Sequence, residues 1–353
     1  MKLFKCLFSL CAVMGLLVTL TGCPSTANGE DSKNPHGAVN FACFDTVSYV
    51  YSYAEDSKES FKAKSDGAFE ILSEYHQLFD IYYEYSGVTN LRTLNEQAGG
   101  EAMVVDQKLI DFLLYAKDLY EQTDGEMNIM MGSVLRLWHD CREEAGDDPS
   151  NARIPSDEEL AEAGLHTDIS LLEIDQTNKT VRISDPKASI DVGAVGKGYA
   201  TEKTAEYLKS VGGDGYVLNV GGNIRIIGHK PDGSGWLTGI KDPEDPERYA
   251  MKLDLADTSC VTSGDYERFF TVGGKRYHHI IDKDTLMPAG YFSSVTVITA
   301  DSGLADALST ALFAMSHEDG LKIAERLGDV EILWITADGT RLYTDGLEKM
   351  IKN

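Results

Sequence analysis

Cysteine is scarce in this chain of 353 residues, which contains six in all. Three of them lie within the first 23 residues, and the other three are widely spaced: Cys43, Cys141 and Cys260. An odd and scattered set predicts neither a disulfide framework nor the paired spacing of a structural zinc site. The fold must therefore rest on an ordinary hydrophobic core, for which 42% hydrophobic residues are sufficient.

Positive charge is also in short supply. The chain has 32 Lys and Arg residues against 57 Asp and Glu residues, a formal net charge of −25. A surface this acidic repels nucleic acid and anionic lipid, so neither is an expected partner. An anionic ligand would need local neutralisation by a metal ion or by specific cationic side chains.

Long apolar runs are absent apart from the uncharged stretch from Leu7 to Leu20, which follows Lys2 and Lys5. The run is too short to cross a bilayer, and the pattern predicts a signal peptide over residues 1–22. It ends in Leu20-Thr21-Gly22-Cys23, which resembles the bacterial lipoprotein box, in which the cysteine carries lipid. The alternative is a plain secretory signal with an incidental cysteine, and the small residue before Cys23 favours lipidation.

A polar segment without aromatic residues follows the lipidation box. We expect residues 23–40 to act as a lipidated cysteine and flexible tether. The expected location is the cell membrane, where the protein is held on the extracytoplasmic side, periplasmic or cell-surface, through the lipid anchor only.

The remaining pattern predicts an α+β fold with mainly antiparallel sheets flanked by helices. Helical spacing is seen over roughly residues 66–83 and 109–120, and Asp106 is a candidate N-cap. The second half is rich in short strands and hairpin turns, such as the one over Asp338-Gly339. We expect a folded domain over residues 41–345, which could divide into two subdomains, and a C-terminal tail over 346–353.

The run Asp191-Val192-Gly193-Ala194-Val195-Gly196-Lys197-Gly198 is the most informative stretch. It follows a hydrophobic strand and precedes a helical segment predicted to start at Tyr199. Its glycines allow the backbone to pass close to a ligand, and Lys197 is well placed to meet phosphate oxygens. The pattern lacks the spacing of a P-loop or a dinucleotide fingerprint, and many glycine turns only connect elements.

A second candidate site lies on the predicted helix that begins near Gly303. Asp306 and Thr310 are four residues apart and so project from one face, with Ser309 close by. A carboxylate and a hydroxyl can both ligate one hard cation such as Mg²⁺. In the alternative interpretation, Asp306 is solvated and Thr310 is packed in the core.

Histidines and tyrosines supply further candidates. In an extended strand His279 and Ile281 share one face, so one histidine could lie near a reacting group, or the pair with His278 could be exposed on a hairpin. Three tyrosines near the end of the first long helix could stack on a flat ring or could belong to the core: Tyr82, Tyr83 and Tyr85.

Together these segments resemble the ApbE family of flavin transferases, with matching motifs in the family's order over nearly the whole chain after Phe41. The motifs are Thr123-Asp124-Gly125-Glu126-Met127-Asn128-Ile129, Ile190 to Ala200, Leu218 to Asn223, Val261 to Glu267, His279-Ile280-Ile281-Asp282, Ser294 to Ile298 and Ala305 to Ala311. Each motif is short, but seven in the same order are highly specific.

The resemblance implies an ApbE-like, T-fold-related architecture and an enzyme that binds FAD with Mg²⁺. Such an enzyme transfers FMN to a threonine or serine hydroxyl of an acceptor protein and releases AMP. The implied Mg²⁺ ligands are the Ala194 carbonyl, the Asp306 carboxylate and the Thr310 hydroxyl. The implied FAD contacts are Tyr82 as a stacking ring, the turn Glu126-Met127-Asn128, Asp191, Lys197, His279 and the backbone near Ile281. His279 is the candidate general base, and the expected acceptor belongs to a membrane redox system and carries a threonine in a flavinylation motif.

Two departures from the family pattern are visible. Glu126-Met127-Asn128 stands where members commonly have Ala-Phe-Asp, and Lys283-Asp284-Thr285-Leu286 replaces the usual Pro-x-Thr-Gly, so that loop should take a different path. Two rival functions remain open at this point. One is an Mg²⁺-dependent FAD pyrophosphatase that gives FMN and AMP, and the other is a non-catalytic flavin- or solute-binding lipoprotein.

Overall fold

The structure is a computed structural model that describes residues 35–245 and 247–352. The predicted signal peptide, the lipidation site Cys23 and the first part of the tether lie outside the described residues. Within the described ranges, no helix is long and apolar enough to cross a membrane.

Helices occupy both halves of the described chain. The α-helices are α1 (Lys58–Phe79), α2 (Leu91–Glu96), α3 (Gln107–Gln122), α4 (Gly132–Asp147), α5 (Asp157–Gly164), α6 (Gly196–Ser210), α7 (Ser302–Ala311) and α8 (His317–Leu327). Short 3-10 helices are found at Pro149–Asn151, Ile169–Leu171 and Leu347–Met350.

Strands are short and concentrate after α6. They are β1 (His36–Asn40), β2 (Ser48–Ser52), β3 (Met103–Val104), β4 (Leu172–Asp175), β5 (Thr180–Ile183), β6 (Tyr216–Val220), β7 (Asn223–Ile227), β8 (Trp236–Lys241), β9 (Tyr249–Leu255), β10 (Ser259–Gly264), β11 (Phe269–Val272), β12 (Lys275–His278), β13 (Ser294–Thr299), β14 (Glu331–Ile335) and β15 (Arg341–Tyr343).

A large sheet of eight strands forms the centre of the described chain, in the order β1-β2-β6-β7-β10-β13-β14-β15. Every neighbouring pair in it is antiparallel. The central strands β7 and β13 are buried along their whole length, as expected for strands covered on both faces. The prediction of an α+β fold with mainly antiparallel sheet is confirmed.

Local signals in the sequence explain several element boundaries. The Asp106 side chain accepts the Lys108 amide at the start of α3. Ser156 and Glu159 form a capping box at the start of α5, which satisfies amides that have no partner inside the helix. By contrast, α1 begins at Lys58, eight residues before the predicted start, because Ser57 caps it by accepting the Ser60 amide.

Two predicted boundaries of the domain need correction. Residues 36–40, predicted as the end of the flexible tether, form β1, which pairs with β2 from His36 to Asn40. Residues 347–350, predicted as part of a C-terminal tail, form a 3-10 helix whose Leu347 is fully buried. Backbone pairing in the first case and burial of an apolar side chain in the second hold these segments to the domain.

The helices α6 and α7 pack against each other and against the central strands β7 and β10. Their closest approach is at Gly198, where an added Cβ atom would lie 2.3 Å from Asp306 Cβ and 2.3 Å from the Ser302 carbonyl oxygen. Only glycine allows this approach, and it brings the glycine turn and Asp306 together.

Candidate active site

The helix α6 begins at Gly196, three residues before the predicted start at Tyr199. Gly198 lies in the first turn of this helix, where backbone amides have no partner within the helix. Its amide donates to Asp306 Oδ2 at 2.7 Å. Lys197 lies in the same turn, and Ala194 lies two residues before the helix begins.

Asp306 is the centre of this arrangement, because its side chain is buried and yet meets several polar groups. The residue is only 4% exposed. Its Oδ1 atom is 3.5 Å from Lys197 Nζ, which also lies 3.4 Å from Asn223 Oδ1. A buried carboxylate needs a cation and hydrogen-bond donors close by, and α6 supplies both.

Three hydroxyl groups meet one turn further along α7, two from this helix and one from β10. Ser263 Oγ on β10 is 2.8 Å from Ser309 Oγ and 3.2 Å from the Thr310 hydroxyl. Asp306 and Thr310 therefore both face the polar junction between α6, α7 and β10, as their spacing predicts. The alternative in which Asp306 is merely solvated does not agree with its burial.

The oxygens of this junction fit a magnesium ion in kind and number. Among the described residues no group of three or more His, Cys, Asp or Glu side chains could hold a metal. Mg²⁺ does not require such a group, because it takes one or two carboxylates and completes its octahedron with water and substrate phosphates. Asp306, the Thr310 hydroxyl and the Ala194 carbonyl are a hard-oxygen set of this type.

A second cluster surrounds the carboxylate of Asp191 at the beginning of the glycine turn. Burial raises the pKa of Asp191, against the effects of the Gly193 amide and of His139 and Arg268. The Asp191 Oδ1 atom accepts the Gly193 amide at 2.8 Å. Tyr82 also interacts with this carboxylate. The pKa of its phenol is raised first by burial and then by the Asp191 charge. This cluster contains no predicted metal ligand.

His279 lies directly after β12 and borders the same cluster. Its amide and its Nδ1 atom are each 3.2 Å from the Arg268 carbonyl oxygen. A carbonyl only accepts, so Nδ1 carries the proton and Nε2 is the acceptor of the neutral ring. Burial, followed by the Arg268 charge, lowers the pKa of His279 to about 3.

The turn Glu126-Met127-Asn128 is held mainly by contacts within the protein. Glu126 pairs with Lys283 at 3.2 Å, and Met127 is only 2% exposed, so its side chain belongs to the core. The Asn128 side chain donates to the Thr167 carbonyl and accepts the Met130 amide. What this turn offers a ligand is therefore its backbone and the Glu126 carboxyl, whose pKa is raised by burial despite Lys283.

Ile281 is the remaining residue implied to contact FAD. Its backbone pairs with Pro288 in an isolated antiparallel bridge. The site residues thus form two groups. Lys197, Asp306 and Thr310 belong to the junction of α6 and α7, and Ala194 lies two residues before α6. Tyr82 and Asp191 belong to the second cluster, which His279 meets through Arg268. The Asp191 amide joins that turn to the Glu126–Asn128 turn through the Ile129 carbonyl at 2.8 Å.

Sequence reasoning missed five residues of these two groups: Ser263, Asn223, His139, Arg142 and Arg268. Ser263 on β10 and Asn223 on β7 lie within two of the matching motifs but have no predicted role, and the Nδ2 atom of Asn223 is buried without a partner among the described residues. His139, Arg142 and Arg268 belong to no chemical motif, so only their position in space reveals them.

Comparison with known proteins finds one family over most of the chain. The profile of the ApbE family matches residues 45–334. The FAD:protein FMN transferase of Vibrio cholerae is 28% identical over 331 residues, which cover 93% of this chain and 94% of the relative. The protein of the same name from Treponema pallidum is 30% identical over 308 residues, covering 83% and 82%.

Solved structures show the same likeness in three dimensions. The ApbE protein from Thermotoga maritima matches with a TM-score of 0.79 at 28% identity, over 91% of this chain and 100% of that one. The flavin transferase ApbE from Vibrio cholerae matches with a TM-score of 0.74 at 26% identity, over 90% and 99%.

Proposed function

The chain belongs to the ApbE family, and we propose that it is a flavin transferase. In the proposed reaction it moves FMN from FAD to a threonine or serine hydroxyl of an acceptor protein and releases AMP. The main support is the buried Asp306 carboxylate, which lies between the Gly198 amide and the Lys197 ammonium with the Thr310 hydroxyl one turn away. A site that only stored flavin would not need a buried carboxylate where an anionic pyrophosphate must bind.

The reaction needs charge neutralisation more than covalent chemistry. The acceptor oxygen attacks the FMN-side phosphorus, the anhydride bond breaks, and AMP leaves with the bridging oxygen. Lys197 binds phosphate oxygens, and Asp306, Thr310 and the Ala194 carbonyl are the proposed Mg²⁺ ligands. A bound Mg²⁺ ion supplies Lewis-acid stabilisation of the charge that develops on phosphate oxygens.

The acceptor hydroxyl must also lose its proton, and His279 is the proposed base. Its low pKa keeps the ring unprotonated at neutral pH, and Nε2 is the available acceptor. The same low pKa makes it a weak base, so proton transfer should contribute less to the rate than phosphate binding does.

We also propose where the enzyme works and on what. The lipoprotein box at Cys23 places it at the extracytoplasmic face of the cell membrane, and the short tether limits its reach to acceptors nearby. A subunit of a membrane redox system with a flavinylation-motif threonine meets this requirement. The net charge of −25 opposes attraction to anionic lipid. The proposed attachment therefore depends on the lipid anchor alone.

FAD hydrolysis is the second candidate, and one observation favours it. Met127, part of the turn implied to contact FAD, has its side chain buried in the core and cannot shield the flavin, and Tyr82 remains 45% exposed. Water therefore has a route to the site unless the acceptor covers it.

The test is to measure AMP release from FAD and Mg²⁺ with and without an acceptor that carries the threonine motif. Transfer predicts slow release alone, faster release with acceptor, and AMP equal in amount to covalent FMN on the acceptor threonine. Fast formation of FMN that no acceptor diverts would mean a pyrophosphatase. No AMP under either condition would leave only flavin binding.

A further inference from the structure

The Tyr82 ring, proposed above as the flavin contact, has an aromatic neighbour on another element. The imidazole of His139 on α4 lies with its centroid 5.6 Å from that of Tyr82, and the two ring planes are inclined by 36°. Tyr82 itself lies after the end of α1 and keeps 45% of its surface exposed. One part of the tyrosine ring thus packs on His139, and the rest is open.

Arg142, one turn further along α4, holds the imidazole in a defined state. Its Nη2 atom is 2.9 Å from His139 Nδ1. A guanidinium group only donates, so Nδ1 is the acceptor and the ring proton is on Nε2. Burial and then the Arg142 charge lower the pKa of His139, which keeps the ring neutral at neutral pH.

The backbone of Tyr82 is held as firmly as its ring. Asp80 Oδ1 accepts the amides of Tyr82 at 2.7 Å and Tyr83 at 2.9 Å. Arg92 Nη1 donates to the Tyr82 carbonyl at 3.1 Å. A ring fixed from two sides loses little conformational entropy when a ligand stacks on it.

The ring pair is also related to the candidate site by charge. The Asp191 carboxylate affects the pKa of Tyr82, and His139 affects the pKa of Asp191. Asp191 begins the turn that leads to Ala194 and Lys197, so a ligand anchored by its phosphates at Lys197 would extend past these rings.

We propose that His139 is a positioning residue for the flavin: it supports one side of Tyr82, whose open part stacks on the isoalloxazine ring. The inference rests on the proposed function, because a flavin substrate supplies the flat ring. His139 then acts in binding and leaves the chemical step at the α6–α7 junction unchanged.

The experiment compares His139→Ala with His139→Phe, which keeps a ring against Tyr82. Binding is measured with FMN, whose fluorescence is quenched when it stacks on tyrosine, and kinetics are measured as AMP release from FAD. For His139→Ala, we expect FMN affinity to fall and the KM for FAD to rise by about 5- to 10-fold, with kcat unchanged. His139→Phe should restore most of the affinity and the quenching.

His166→Ala is the matched control, because it removes an imidazole whose partner is the Asp185 carboxylate at 2.7 Å rather than the Tyr82 ring. FMN affinity in His139→Ala equal to that of the unaltered protein would overturn the inference, as would a lower kcat at constant KM. If the unaltered protein neither binds FMN nor releases AMP, the proposed function itself fails.

Should His139→Ala not fold in a thermal scan, Arg142→Met decides the question. It keeps the His139 ring but removes the donor to Nδ1, so it should weaken FMN binding by about 2- to 3-fold without changing kcat. Unchanged FMN affinity in a folded Arg142→Met protein would then overturn the inference.

Discussion

At the scale of single residues, the site contains two carboxylates, Asp306 and Asp191, in different surroundings. Asp306 is buried and compensated by the Gly198 amide and Lys197. Asp191 is held by one backbone amide, and its pKa is raised because burial outweighs that bond. The first has a backbone donor and a cation beside it, and the second is costly to ionise.

Asp306→Asn should reduce Mg²⁺-dependent AMP release by about 100-fold or more, because the charged metal ligand is lost. Asparagine can still accept the Gly198 amide, so the fold should survive. Thr310→Ala should have a milder effect, since water can replace a neutral ligand. The control is Asp118→Ala on α3, which removes an exposed carboxylate bonded to Gln122 four residues later. Full activity of Asp306→Asn at ordinary Mg²⁺ concentrations would contradict the assignment.

Asp191→Asn should make the protein more stable at neutral pH and weaken FAD binding. The folded-state pKa of Asp191 is raised above its ordinary value of 3.8. The unfolded chain therefore loses this proton first, and rising pH favours unfolding from about that value upward. The asparagine variant avoids this penalty, so its advantage in Tm should be present at pH 7.5 and shrink as pH falls towards 4.

Asp175→Asn is the control, because we expect its effect on stability at neutral pH to have the opposite sign. Asp175 accepts the amides of Thr177 and Asn178, and these bonds lower its pKa. Its ionised form stabilises the fold, so the variant should lose stability at neutral pH and approach the unaltered protein in acid. If each variant differs from the unaltered protein by the same Tm at pH 7.5 as at pH 4, titration of these carboxyls is not the cause of the difference.

At the scale of elements, the active site is a property of how α6 meets α7. Arg225 on β7 is 2% exposed and bonds Glu202 of α6 through Nε at 2.9 Å. The same Glu202 oxygen accepts the Ser302 amide at the start of α7, also at 2.9 Å. This buried pair links the two helices and the sheet, and the contact at Gly198 sets the distance between the helices.

Gly198→Ala should destabilise the protein by about 1–3 kcal/mol, because its Cβ atom would overlap Asp306 and force the helices apart. The change should also weaken Mg²⁺ binding, since Asp306 and the Ala194 carbonyl would separate. Urea unfolding and metal titration measure the two effects. Gly146→Ala on α4, where an added Cβ meets nothing within 4 Å, should be neutral or slightly stabilising. Similar stabilities for both variants would contradict this account of α6–α7 packing.

At the scale of the whole molecule, net charge and the proposed membrane attachment restrict which partners can bind. The excess of 57 acidic over 32 basic residues opposes binding to anionic surfaces. The strand β1 begins at His36, so the length of chain available as a tether ends there. Lipidation at Cys23 therefore predicts that the acceptor comes to an enzyme held close to its membrane.

Cys23→Ser should move the protein from the membrane fraction to the soluble fraction without changing its Tm. The buried hydrophobic residues of the described chain all lie after His36, so the domain should fold as before. Fractionation with a salt wash and immunoblotting provides the measurement, and Cys43→Ser, at a buried position within the domain, is the control that should stay with the membrane. Retention of Cys23→Ser after the wash would contradict lipid anchoring.

The sequence by itself determined the fold class, and it predicted Lys197, Asp306 and Thr310 as site residues. These features follow from local rules: the hairpin at Asp338-Gly339, the cap at Asp106, and the spacing of Asp306 and Thr310 all act within a few residues. Motif order then identified the family, because seven short matches in sequence need no knowledge of the fold.

Only the tertiary structure decided which distant residues meet. The ring pair of Tyr82 and His139 joins segments 57 residues apart, and the support of Asp306 by Gly198 joins segments 108 apart. It also decided that Met127 is core and that residues 36–40 are a strand. The physical reason is that burial, contact and pKa depend on neighbours brought together by packing, which no local pattern encodes.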